Sequence, residues 1–172
     1  MDEIHAAYLD AAAGRPATRP VVEMTLPSVL DPTLVDTPGT HVAGLFVQFA
    51  PYTLAHGSWA DATFKAAFVD RVLNMVEEHC PGFRSSILHC DALSPLDLER
   101  TFGLHHGNIF HGALSLHQLA HNRPAPGWSS HRTPVGGLYL AGAGAHPGGG
   151  VTGAPGRNAA GVVLSDLGMG MR

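Results

Sequence analysis

The chain has 172 residues, 45% of them hydrophobic, and a formal net charge of −4. That apolar fraction can build a core, which excludes a disordered segment, and the absence of any Lys/Arg block leaves nucleic-acid binding without electrostatic support. No apolar run reaches the roughly 18 residues that a membrane span needs, and the acidic start MDEIHAAYLDAAAG has no hydrophobic signal core.

In chain order, residues 3–13 predict a short helix with Ile4, Ala7, Tyr8 and Ala11 on one side, stopped by Gly14. Residues 15–20 read as a linker. Val22, Met24 and Leu26 alternate with Val21, Glu23 and Thr25 and predict a half-buried strand. The proline-rich stretch 27–39 reads as a loop, and the nearly all-apolar stretch 42–50 as a strand covered on both faces. Asp61 is a suitable N-cap for a helix in which Phe64, Phe68, Val72, Met75, Val76 and His79 recur at three- and four-residue intervals; Pro81-Gly82 ends it. Residues 84–91 predict another strand.

Leu93-Ser94-Pro95-Leu96-Asp97-Leu98 then carries a dense helix-start signal. Ser94 is the N-cap, Pro95 the first helical residue and Asp97 the capping-box acid, with Leu93 placed to staple onto Leu98 and Gly103 as the stop. Residues 107–126 give mixed signals. Cys80 and Cys90 are too few for a disulfide framework and are expected to be two buried thiols in a reducing cytoplasm.

The stretch from Gly136 to Gly156 carries nine glycines in 21 residues. Leu138-Tyr139-Leu140-Ala141 predicts a short strand before it, and a helix is predicted after it, to about Leu167. Strand, nearly side-chain-free turn and helix start together bring backbone N–H groups up to a flat or phosphate-bearing ligand. Gly148-Gly149-Gly150-Val151-Thr152-Gly153 matches G-x-G-x-x-G as a string, but the dinucleotide fingerprint also needs a following strand with an acid at its end. Asp166 instead falls inside or at the end of the helix. The alternative is a glycine-rich connection that merely lets the helix pack closely on a sheet.

The segment LYLAGAGAHPGGGVTGAPGRNAA resembles the C-terminal flavin-contacting motif of the phytoene desaturase-like (carotenoid desaturase-type) FAD oxidoreductases. Within that group the likeness is nearest to the pyridine nucleotide-disulfide oxidoreductase domain-containing protein 2 type. It extends upstream through HVAGLFVQFAPYTL, LSPLDLERTFGL and GNIFHGALSLHQL, and covers the chain from about Pro20 onward. The order of elements, strands, a crossover helix, more strand and helix and a final strand–turn–helix, is that of an α+β (mixed α/β) fold, and the resemblance implies which one. It combines part of an antiparallel substrate-domain sheet with crossover helices and the closing strand–turn–helix of a FAD-binding, Rossmann-like domain. Residues 1–20 would be an N-terminal helix and linker, 21–135 the substrate-domain portion and 136–172 the FAD-contacting end.

Carried over by motif, the cofactor-binding residues are Gly142, Ala143, Gly144, His146, Pro147, Gly148, Gly149, Gly150, Val151 and Thr152. Where many related flavoproteins place an acid after the strand glycine, this chain has Ala143, so contact there would run through the backbone. A GxGxxG on an N-terminal βαβ unit is missing. The chain is therefore expected to be a fragment or one part of a split protein, to bind FAD weakly or not at all by itself, and to partner the missing FAD-binding portion or another copy of itself. The implied complete enzyme would pass a hydride from the C–H bond of a small apolar substrate to flavin. A non-catalytic interaction or oligomerisation module that kept the fold without the cofactor is the alternative.

Twelve histidines are many for this length. His117 and His121 would share a helix face and such pairs can bind zinc, but no H-E-x-x-H or nearby Asp, Glu or Cys completes a ligand set, so no metal site is assigned. His111 is a candidate acid or base toward the flavin or substrate, against the plainer reading of a histidine satisfied by backbone carbonyls. Gly57-Ser58-Trp59 is not a nucleophile elbow, and Tyr52 and Trp59 are cavity candidates that more often prove to be core.

Overall fold

The computed structural model describes residues 2–169 and divides the chain after Phe102 into two compact units. Its described residues mix five helices with a two-stranded antiparallel sheet, an α+β composition. None of these helices is long and apolar enough to cross a membrane.

In the first unit, helix α1 (Asp2–Ala12) ends before Gly14 as the sequence indicates, but it lays only Ala7 into the interior and leaves Ile4 and Tyr8 about half exposed. The following segment is no loose linker. The Asp10 carboxylate accepts from the Thr18 N–H at 2.9 Å and pairs with Arg15 at 2.7 Å. Those contacts, the Thr18 backbone bond first, hold its pKa at about 2. Ala17 and Pro20 are fully buried, and the Ala17 N–H reaches the Phe49 carbonyl at 3.0 Å.

Strand β1 (Val21–Thr25) pairs antiparallel with β2 (Gly44–Gln48), from Val21 opposite Gln48 to Thr25 opposite Gly44. The stretch expected to be covered on both faces is half-buried, and Phe46 is 45% exposed. Two strands and one helix cover a single face of a sheet. The loop between the strands folds into two 3-10 turns, Pro27–Val29 and Pro32–Leu34. Ser28 anchors it: its buried hydroxyl accepts from the Val42 N–H at 3.0 Å.

Helix α2 (Ala62–His79) is the predicted one. Asp61 caps it, accepting from the N–H groups of Thr63 at 2.8 Å and Phe64 at 3.3 Å. Its apolar stripe meets the sheet in a core of Trp59, Phe68 and Val72, flanked by Val22, Leu45, Val47, Leu54 and Leu96. Trp59 is 5% exposed, edge-on to Phe64 and Phe68, and its indole N–H donates to the Pro51 carbonyl at 2.9 Å. It is core, not a cavity wall. Tyr52 donates instead to the Glu99 carboxylate.

The predicted strand at 84–91 does not form. After α2 the Glu77 carboxylate accepts from the N–H groups of Gly82 (2.7 Å) and Arg84 (2.8 Å), and Arg84 pairs with Asp70 at 2.6 Å. These contacts curl the chain into the short helix α3 (Phe83–Ser86), and an irregular stretch with Leu88 84% exposed follows. Both cysteines are exposed, contrary to expectation: Cys80 lies at the end of α2 and Cys90 in this irregular stretch, neither facing the core. Helix α4 (Pro95–Phe102) begins as the sequence spells out. Asp97 accepts from the Ser94 N–H at 2.9 Å and hydroxyl at 2.6 Å, while the Ser94 hydroxyl oxygen accepts from the Asp97 N–H at 3.2 Å.

The second unit has one long helix, α5 (Ala154–Asp166), and otherwise irregular chain with 3-10 turns. The predicted strand 138–141 is reduced to a single antiparallel bridge between Tyr139 and Arg132. A strand needs a row of partners, and the described residues of this unit supply only one bridged pair. Asp166, at the end of α5, accepts from Arg132 at 2.6 and 2.9 Å and from the Tyr139 hydroxyl at 2.9 Å, which ties the bridge to the helix. The Arg132 guanidinium, ahead of the Tyr139 hydroxyl, holds the Asp166 carboxyl below its ordinary range.

Candidate functional site

The glycine turn is built from chain that avoids regular structure. Gly148, Gly150 and Gly153 have φ of 111°, 119° and 68°. Helix α5 therefore starts at Ala154, after the left-handed Gly153, so Gly148 to Thr152 precede the helix and do not form its first turn. Ala145 is buried, as is Gly148, whereas Gly142, Gly149 and Gly150 are exposed. The turn folds back on itself, since a Cβ built on Gly149 would lie 3.3 Å from the Ala143 Cβ.

The backbone donors of the turn are almost all without a protein acceptor. Among the described residues, the N–H groups of residues 142–153 find one acceptor: Ala145 donates to the Gly142 carbonyl at 2.9 Å. N–H groups without a protein acceptor on glycine-rich backbone are free to donate to solvent or to an anionic or polar ligand edge. Space is present too, for a Cβ on Gly142 would meet no heavy atom within 4 Å. His146 adds a buried ring nitrogen, Nδ1, with no hydrogen-bond partner. Val151 holds φ 55° with its side chain fully exposed, a conformation that a β-branched residue adopts only under constraint.

His111 is brought to this turn. A Cβ on Gly144 would stand 3.7 Å from both the His111 Cβ and the His111 carbonyl oxygen. His117 and His121 are not gathered with it. They fall in separate 3-10 turns, Leu116–Gln118 and Ala120–Asn122, so the shared helix face that would pair them does not exist. Among the described residues no group of three or more His, Cys, Asp or Glu is placed to hold a metal ion.

The residue the sequence reading missed is Arg123, which is 1% exposed. Its Nε donates to the Ala143 carbonyl at 3.0 Å, its Nη1 to Ala113 and Gln118 at 3.1 Å each, and its Nη2 to Phe110. One faint signal existed: Arg123 is the only Asp, Glu, Lys or Arg between Arg100 and Arg132. A shallow groove runs along α5, lined by His131, Arg132, Arg157, Asn158 and Ser165.

No family model matches the chain, and no solved structure matches it. Curated relatives do. Over 164 residues it is 55% identical to pyridine nucleotide-disulfide oxidoreductase domain-containing protein 2 of Rattus norvegicus, covering 95% of this chain and 28% of the relative. A limonene dehydrogenase polypeptide of Castellaniella defragrans is 34% identical over 77% of this chain and 24% of its own length. A lycopene-forming phytoene desaturase of Pantoea ananas is 35% identical over 57% of this chain and 20% of its own. The chain thus spans about a quarter of the length of these relatives, and what it matches in the first is the C-terminal part.

Proposed function

We propose that this chain, which corresponds by sequence to the C-terminal part of a phytoene desaturase-like oxidoreductase of the pyridine nucleotide-disulfide oxidoreductase domain-containing protein 2 type, supplies the closing, flavin-contacting segment of a FAD-dependent enzyme. The observation that carries the reading is that, of the main-chain N–H groups between Gly142 and Gly153, all but that of Ala145 lack an acceptor among the described residues. Residues 136–172 are the FAD-contacting end and residues 21–135 the substrate-domain portion. The dinucleotide-binding portion, joined to this chain or separate, holds the other half of the cofactor in the cytoplasm. The last three residues of that end lie outside the described ones.

The residues present fit the group. Gly142, Ala143, Gly144 and Gly148 to Thr152 offer main-chain donors, with no Cβ on the glycines to hold a flat ring away. His146 presents Nδ1 as a further donor or acceptor, and Pro147 directs the chain between it and Gly148. Flavin, when bound, supplies the hydride-accepting chemistry. The protein's part is to orient it and stabilise negative charge through amides already fixed in place. His111, beside Gly144, is the candidate acid or base, exchanging a proton at an imidazole nitrogen. The substrate is small and apolar, a reading that draws on relatives named for limonene and phytoene and therefore on analogy.

Gly142→Leu tests the proposal, because a Cβ at this position meets no heavy atom within 4 Å and the added side chain occupies the space open to a ligand. Joined to or mixed with the dinucleotide-binding portion of a relative, the wild-type chain retains visible flavin absorbance and the variant loses it. Equal retention by a folded variant refutes the reading.

A further inference from the structure

We propose that Arg123 is the positioning residue of the glycine turn, and that its buried guanidinium aims the turn's amides at an anionic group. The inference rests on the reading of the turn as a ligand-holding site and adds a residue that no motif in the turn contains.

Three observations carry it. First, Arg123 is charged and 1% exposed, and its partners among the described residues are four backbone carbonyls and no carboxylate. Carbonyl dipoles only partly replace the water a guanidinium loses, so a buried cation without a counter-charge favours an anion nearby. A guanidinium has five N–H donors; these contacts use four.

Second, one of the four carbonyls belongs to the turn. Across a planar trans peptide the carbonyl and the following N–H point in opposite directions. Drawing the Ala143 oxygen to Nε at 3.0 Å therefore turns the Gly144 N–H away from the guanidinium, and that N–H has no acceptor among the described residues. The same side chain donates to Phe110, next to His111, so one residue holds backbone of both the turn and the His111 segment. The glycines leave it room: a Cβ on Gly112 would come within 3.3 Å of Nη2, and one on Gly148 within 3.8 Å of Nε.

Third, the charge balance of residues 103–169 is basic. From residue 103 to 169 the charged side chains are Arg123, Arg132, Arg157 and Asp166, and Asp166 is already paired with Arg132. Among residues 103–169 no acid is left to neutralise Arg123.

The test is a titration of the 15N-labelled full chain with inorganic pyrophosphate, followed by amide shifts. In the wild type the amides of residues 142–153 move together at millimolar pyrophosphate. Arg123→Gln removes the charge; Arg123→Lys keeps it but cannot reach four carbonyls as a fork does. Both weaken pyrophosphate binding at least about tenfold, while the resonances of residues 2–102 stay in place. Wild-type amides that do not move, or a folded variant that binds like wild type, overturn the proposal.

If both variants unfold the second unit, the wild-type chain decides. An Arg123 Nε–H that is protected from exchange and shifts with the Gly144 amide supports the proposal; one that exchanges freely or stays put overturns it. FAD in a parallel titration separates the two readings. Arg123-dependent pyrophosphate binding with no response to FAD, even beside a dinucleotide-binding portion, sinks the flavin reading alone. FAD binding indifferent to Arg123 sinks this inference alone.

Discussion

Two side chains show how local chemistry is written into this chain and what it stabilises. Asp97 accepts from Ser94 twice and pairs with Lys65 at 3.0 Å. The Ser94 hydroxyl and backbone bonds come first and Lys65 after them, and together they hold the Asp97 pKa at about 2. A folded pKa below the unfolded value adds stability above the unfolded pKa, and this is lost as pH falls through the folded one. Asp97→Asn should therefore cost about 1 kcal/mol at neutral pH, and the gap from wild type should close between roughly pH 4 and pH 2. Paired thermal melts across that range measure it; a gap as wide at pH 2 as at pH 7 contradicts the assignment. Val151 sets the opposite case. Its φ of 55° stores strain of about 1 kcal/mol that Val151→Gly releases, so denaturant unfolding of the variant should show a higher midpoint. A lower midpoint would mean the valine makes a contact that outweighs its backbone.

At the scale of elements, what could be read in advance was what is local. The α4 capping box needs only residues 94 to 97, and the period of α2 needs only its own eighteen. The strands at 84–91 and 138–141 were misread because extended chain needs a partner: Glu77 captured the first stretch into a turn and a single bridge was all the second found. The motif located the glycine turn as a candidate site, yet Arg123 was illegible, since its four acceptors lie from Phe110 to Ala143 and no spacing announces them. Packing between elements makes its own prediction at Gly57, where the loop crosses α2. Its φ is 84°, and an added Cβ would lie 2.5 Å from the Phe64 ring. Gly57→Ala combines a left-handed backbone penalty with an overpacked core and should destabilise the first unit by about 2 kcal/mol or more. Unfolding followed by Trp59 fluorescence reads this directly, because the indole is edge-on to Phe64 at 5.4 Å. An unchanged midpoint would show that the loop can lift away at no cost.

For the whole molecule, the sheet sets the expectation. Strands β1 and β2 pair only with each other among the described residues, so each presents an outer edge of unpaired backbone groups. Met24, Leu26, Val42 and Phe46 lie exposed on or beside those strands. Free edges and apolar side chains together make a template for another strand. The apolar run 42–50 reads as a strand meant to be covered on both faces, and only one is. The chain is accordingly expected to self-associate, with mass rising with concentration in light scattering. Phe46→Lys, which places a charge on the uncovered strand, should shift it toward the 18.0 kDa monomer. A wild-type chain that stays at the monomer mass at high concentration would contradict this, and would mean that the loop from Leu26 to Thr40 shields the sheet edge well enough to keep a second copy away.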